Sequence, residues 1–166
     1  NVIPEAKGRW TFDDDDDFFM NSYDTELYMS PATIQNPGVT PVSTAEEAGI
    51  TRVAGPTAEN KAIMCPATAG LSLAFDTGTE ENITNYTFMF DICLPHINNY
   101  CALLQTDPNN SDDCDFCINS SGNIGLNVSG LGYGGQMYEG RWHRIVFVLR
   151  DNVSSSYLDG KLLHTS

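Results

Sequence analysis

Gly140-Arg-Trp-His-Arg-Ile-Val-Phe-Val-Leu-Arg150, followed after a short polar stretch by Tyr157-Leu-Asp-Gly-Lys161, decides the fold class of this chain. Alternation along the first part puts Ile145, Phe147 and Leu149 on one face of a strand and Trp142, Val146 and Val148 on the other. Apolar residues on both faces place such a strand inside a sheet, covered on both sides or nearly so. Asp159 and Gly160 both tolerate the positive φ that a two-residue hairpin turn demands. The segment therefore predicts a strand, a turn and a tight hairpin.

Working towards the N-terminus, Tyr86 to Leu94 is the clearest strand. Tyr86, Phe88, Phe90, Ile92 and Leu94 line one face, Thr87, Met89, Asp91 and Cys93 the other, and Pro95 ends it. Shorter strands are predicted at 8–12 (Trp10 and Phe12 on one face), 62–65, 71–75, 100–106, 116–119 and 124–128. Residues 120–123 read as a hairpin turn joining the last two, and 130–135 as a glycine-rich bend. Between residues 20 and 55 the chain reads as irregular, since Pro31, Pro37 and Pro41 discourage long helices. One helical turn is expected near 43–47, where Thr44 and Glu47 have capping-box spacing. Many short strands and little helix predict an all-β fold, an antiparallel sandwich or barrel, in a single domain of residues 1–166.

Twenty-two acidic residues face eight basic ones, a net charge of −14. A polyanion repels nucleic acid and anionic membrane surfaces, so neither is an expected partner. No apolar run reaches the length of a membrane helix, so membrane insertion is not expected. Charged residues make up only 18% of the chain, and Asn, Ser, Thr and Gly take their place, a balance that suits a β-rich extracellular protein. The chain starts at Asn1 with neither an initiator methionine nor a signal-like segment, as a mature or trimmed form would.

Five cysteines, Cys65, Cys93, Cys101, Cys114 and Cys117, cannot all pair within one chain. Cys93 and Cys101 flank a strand connection and are placed to face each other across neighbouring strands. Cys114 and Cys117 have C-x-x-C spacing, without the second pair or nearby histidine of a zinc site and without the βαβ setting of a redox motif. Ordinary buried thiols, or one disulfide, are the expected states.

In order along the chain stand Trp10-x-Phe-Asp-Asp14, Gly55-Pro-Thr-Ala-x-Asn60, Tyr86-Thr-x-Met-Phe-Asp91 and Gln105-Thr-Asp-Pro-x-Asn110. Ile118-Asn-x-x-Gly-x-Ile-Gly125, Gly140-x-Trp142 and Tyr157-Leu-Asp-Gly160 complete the series. This series resembles the laminin-G-like domains of the concanavalin A-like lectin/glucanase superfamily, in particular those of large bacterial surface and secreted proteins. The resemblance implies a two-sheet antiparallel jelly roll, secreted or at the cell surface, recognising glycan or extracellular protein. In that family further strands follow the hairpin at 157–163, whereas this sequence stops at Ser166. The expectation is a jelly roll truncated at its C-terminus, completed by strand exchange or by a partner segment.

Catalysis finds no support in the motifs. Glucanases on this sandwich carry two carboxylates on one face, roughly 5–5.5 Å apart for retention. No Glu-x-Asp-x-x-Glu pattern occurs here; Glu46-Glu47 and Glu80-Glu81 are adjacent pairs, and Asp91 stands alone in its strand. His96, His143 and His164 lie in no nucleophile elbow or zinc motif, and His143 reads as a packing or surface residue. The loop 107–115 offers Asp107, Asn109, Asp113 and Asp115 as an oxygen series like the first half of a calcium loop, without its glycine and closing Glu. Its alternative is a polar loop whose side chains cap its own turns. Asp13 to Asp17 read as a solvated loop.

Glycan recognition relies on an exposed aromatic ring among Asn, Asp and Gln side chains. Tyr100, Tyr133 and Tyr138 lie at strand ends or in loops and are the candidates, while Trp10 and Trp142 read as core. Asn-x-Ser/Thr sequons include Asn82, Asn85, Asn119, Asn127 and Asn152, which mean glycosylation in a secreted eukaryotic protein and carry no message in a bacterial one. The expected function is a non-catalytic extracellular recognition module of a larger multidomain protein that binds carbohydrate, with protein adhesion or scaffolding as the alternative and a polysaccharide-acting enzyme with an unrecognised site as a distant third.

Overall fold

The structure, a computed structural model, describes residues 6–17, 19–23, 27–34, 38–75, 84–107, 114–126 and 132–165. Thirteen strands and a single helical turn occupy these residues, every strand pairing is antiparallel, and the fold is all-β. The chain divides into two compact units, residues 1–80 and 81–166.

In the first unit, β1 (Leu27–Ile34) is the middle strand of a three-stranded sheet, flanked by β2 (Val39–Pro41) and β5 (Ala69–Phe75). A separate hairpin pairs β3 (Thr51–Ala54) with β4 (Lys61–Met64). Its loop is closed by the Gly55 N–H donating to the Asn60 carbonyl at 2.8 Å and by a hydrogen bond between the Thr57 hydroxyl and the Asn60 side chain. Helical turn α1 (Ala45–Ala48) begins where the capping spacing placed it. The Glu47 N–H donates to Thr44 Oγ1 at 3.3 Å, and Glu47 Oε2 takes the Ser43 N–H at 3.0 Å. The core here is small: Ala48, Ile50 and Ala69, with Phe19, Val42, Ala45 and Ile63 packed around them.

Two expectations fail in this unit. Residues 27–34 form a strand through Pro31, although prolines made the region read as irregular. The Val42 N–H donates to the Pro31 carbonyl at 2.9 Å, so the proline nitrogen points to that same flank, past the end of β2. The one donor it lacks would have returned that bond to Val42, beyond the last β1–β2 pair, so both ladders of β1 keep their register, which is how a strand tolerates proline. Conversely, residues 8–12 are not a strand. Phe12 has a φ of 58°, and the Asn21 carboxamide takes the Arg9 N–H at 2.9 Å in place of a neighbouring strand.

The second unit is two four-stranded sheets with their apolar faces together. One has the order β13 (Lys161–Thr165), β12 (Val153–Leu158), β11 (Trp142–Arg150), β6 (Tyr86–Cys93). The other has the order β10 (Tyr133–Gly134), β9 (Ile124–Gly125), β8 (Phe116–Ile118), β7 (Cys101–Leu104). Phe116, Ile118 and Ile124 from the second sheet meet Ile145, Phe147 and Leu158 from the first, with Met137 between the strands and the Phe116 and Phe147 rings 4.9 Å apart. Each such side chain contributes roughly 1.5–3 kcal/mol on leaving water. This pairing of antiparallel sheets is what a β-sandwich requires.

The decisive segment forms the strand, turn and hairpin as read, but not a strand covered on both faces. β11 is an interior strand with β6 and β12 on its flanks. Ile145 and Phe147 are buried, while Trp142, Val146 and Val148 on the second face are only half-buried. Two-residue turns join β11 to β12 and β12 to β13, with φ of 52° and 63° at Asp151 and Asn152 and of 50° and 81° at Asp159 and Gly160. The turn at 120–123 also forms, its Asn119 N–H donating to the Asn123 carbonyl at 2.9 Å.

Candidate ligand-binding face

Strand register brings two of the three candidate tyrosines together. Ala102 lies opposite Cys117, Cys117 opposite Gly125, and Gly125 opposite Tyr133, so these four residues share the face of their sheet that points away from the core. Tyr100, two residues before Ala102, joins them at the end of β7. Alanine, cysteine and glycine leave a low floor between the outer strands, and the Tyr100 and Tyr133 rings meet edge to face with centroids 6.3 Å apart. Gly125 is required there, because a Cβ on it would stand 2.9 Å from both the Tyr133 Cα and its ring.

The two rings differ in setting. Tyr100 is 65% exposed, while the Tyr133 hydroxyl is buried with no hydrogen-bond partner among the described residues. Burial pushes the Tyr133 phenol above its ordinary pKa, and Tyr100 adds to the shift. Exposed Asn98 and Asn99 precede Tyr100, their side chains hydrogen-bonded to each other at 3.3 Å. These two amides are the ring's neighbours in the chain. Tyr138 stands apart from this pair: it is 51% exposed, with the Arg141 guanidinium 5.4 Å from its ring centre and the His143 ring 6.2 Å away.

Cys117 of that floor, buried like Gly125, carries a covalent tie that the spacing alone did not settle. Cys114 and Cys117 form a disulfide, with Cα atoms 6.0 Å apart, and both are buried. Cys93 and Cys101, placed by the sequence as possible facing partners, are both thiols. They sit in different sheets, β6 against β11 and β7 against β8, and burial pushes the Cys101 thiol above its ordinary value. The disulfide joins the end of the acidic loop to the middle residue of β8.

At the loop's base, Asp115 Oδ2 accepts from the Thr106 N–H at 2.5 Å and from its hydroxyl at 2.7 Å. Asp115 therefore caps its own loop, and its charge adds to the burial that raises the Tyr86 phenol. Asp107 is described and Asn109 and Asp113 lie outside the described residues. Among the described residues no group of three or more His, Cys, Asp or Glu side chains stands close enough to hold a metal ion.

The run Asp13 to Asp17 is also tied into the fold rather than merely solvated. Asp13 Oδ1 takes the Lys61 N–H at 2.8 Å, Asp14 Oδ1 takes the N–H groups of Asp16 and Asp17, and Asp15 pairs with Arg52. The Arg52 hydrogen bond holds the Asp15 carboxyl below the usual range.

His143 is a strut between loops. Its Nε2 accepts the Tyr138 N–H at 3.1 Å, which puts the ring proton on Nδ1, 2.8 Å from Asp159 Oδ2. Asp159 Oδ1 also takes the Arg144 N–H, and the Asp159 N–H returns to the Arg144 carbonyl, both at 2.8 Å. The hairpin turn is thus clipped to β11 by its own first residue. Beside it runs an open groove of about 420 Å³ lined by Gly135, Gln136, Leu158, Lys161 and Leu162. A second groove, of about 440 Å³, lies between α1 and the Pro66–Thr68 turn of the first unit. Neither contains a candidate tyrosine.

No protein family, no curated protein and no solved structure matches the chain.

Proposed function

We propose that the chain is a non-catalytic extracellular recognition module whose second unit binds carbohydrate at Tyr100 and Tyr133. One observation carries this reading: an exposed tyrosine ring, met edge-on by a second ring and preceded in the chain by two exposed asparagines. A pyranose presents a patch of C–H groups to such a ring and hydroxyls to such amides, the pairing that flat aromatic sugar sites use. The order of motifs that resembles laminin-G-like domains supports the same class, as does a two-sheet antiparallel second unit. A disulfide fits an oxidising compartment and hence a secreted or cell-surface protein.

Binding of the chain to a glycan array tests the proposal. Saturable binding to one sugar class is expected, with Tyr100→Ala lowering affinity at least about tenfold, the loss of one stacked ring. Because Tyr100 is largely in water, the thermal unfolding midpoint of that variant should stay within about 2 °C of wild type. Silence across the array, or unchanged affinity in Tyr100→Ala, would remove the assignment. Array silence would favour protein adhesion, for which the first sheet of the second unit offers exposed Met89, Val153 and Leu162 on its outer face.

A further inference from the structure

Six of the chain's fourteen asparagines stand in Asn-x-Ser/Thr sequons, Asn109 being the sixth. Random placement of its Ser and Thr residues would give about two. The excess directs attention to which of these sites the fold presents. Asn119 is half-buried, and its Oδ1 is held by the N–H groups of Ser121 and Asn123 at 2.9 and 3.0 Å. Asn85 is exposed but uses Oδ1 to accept the Asp151 N–H at 2.7 Å. Asn152 differs from both. It occupies the second position of the β11–β12 turn with a φ of 63°, a conformation asparagine adopts readily, and it is exposed. Among the described residues its side chain makes no hydrogen bond.

We infer that Asn152 is an N-glycosylation site. The side-chain nitrogen of Asn152 takes C1 of a lipid-pyrophosphate-linked oligosaccharide. The N–C1 bond forms as the C1–O bond to phosphate breaks, the lipid pyrophosphate departs, and the amide nitrogen gives up one proton. Ser154, the third sequon residue, is only 8% exposed in the folded chain. A transferase that reads its hydroxyl must therefore act before β11 and β12 pair. Once they pair, the turn carries the sugar outward, beside Val153, which is 45% exposed. Positive φ at Asp151 and Asn152 keeps the modified residue at the apex, where added bulk meets no neighbouring strand.

This inference rests on the extracellular part of the reading above, with export through a secretory pathway that carries such a transferase, and not on the saccharide site. The test directs the full chain through a eukaryotic secretory pathway and treats the secreted protein with peptide N-glycosidase in heavy-oxygen water. Asn152 should be recovered largely as heavy-oxygen-labelled Asp. Asn152→Asp and Ser154→Ala should each remove one glycan's worth of electrophoretic mobility, and Ser154→Thr, which preserves the sequon, should retain it. Secreted wild-type protein with unlabelled Asn152 would overturn the inference, as would a Ser154→Ala variant with unchanged mobility. Sugar binding measured on the deglycosylated protein reads the Tyr100 proposal separately, so either can fail while the other stands.

Discussion

Asp159 does three jobs through one short side chain. It tolerates positive φ at the first turn position, caps the Arg144 N–H, and accepts the His143 ring proton. The His143 hydrogen bond, ahead of the backbone bond from Arg144, holds its carboxyl below the usual Asp range, against a desolvation that acts the other way. A carboxylate with a lowered folded pKa adds stability that is complete above its unfolded value of about 3.9 and fades as pH falls through the folded value. Asp159→Asn keeps the turn conformation and removes the charge. It should cost less than about 1 kcal/mol at pH 7, because the side chain is 52% exposed and screened by water. Urea midpoints at pH 7 and from pH 4 to pH 2 should show wild type and variant converging only below about pH 4. A difference that stays constant from pH 7 to pH 2 would refute the linkage.

At the scale of elements, β6 and β11 hold the longest ladder of the second unit, and its outer face carries one directly opposed charge pair. Arg144 reaches both Asp91 oxygens, at 2.7 and 2.8 Å, in the forked geometry that suits guanidinium and carboxylate. Arg144 is 58% exposed, so the pair's coupling should be about 0.5 kcal/mol. A double-mutant cycle of Arg144→Ala and Asp91→Ala at low salt should return that value, shrinking towards zero in 1 M salt; a coupling above about 2 kcal/mol would show that water screens the pair far less. Asp91 read as a carboxylate with no second one in its strand, and its arginine partner, 53 residues away in the sequence, gave no local signal. The same limit explains what else was legible. β6, β11, β12 and β13 announced themselves because alternation and turn dipeptides are local signals. β1 did not, because Pro31 is harmless only given where β2 ends. Tyr100 and Tyr133 were each visible as loop aromatics, but their meeting depends on Cys117 and Gly125 lying between them in the sheet. Tyr138 has the same local signature and goes elsewhere.

The whole chain carries a net charge of −14, and the fate of its carboxylates decides what ions should do to it. Asp13, Asp14, Asp17 and Asp115 accept backbone N–H groups, and Asp15, Asp91 and Asp159 face Arg52, Arg144 and His143. Those seven are already satisfied by the protein, so a cation competing for them would have to displace built hydrogen bonds. Glu47 and Glu139 also take backbone N–H groups and Asp151 meets Arg150, so the excess negative charge acts mainly as a net field through solvent, over a distance that falls to about 8 Å at physiological ionic strength. Screening should therefore stabilise the fold: raising sodium chloride from roughly 10 to 200 mM should lift the unfolding midpoint by a few degrees. Calcium and magnesium at matched concentration should act alike, since both then serve only as diffuse counter-ions. Calorimetry in sodium, magnesium and calcium chloride distinguishes the cases. A calcium-specific rise that Asp113→Asn and Asp115→Asn together abolish would instead place an ion in the loop of Asp107, Asn109, Asp113 and Asp115. Asp115 would then have to exchange the Thr106 clasp for the metal, which would loosen the base of the loop as the ion tightened its tip.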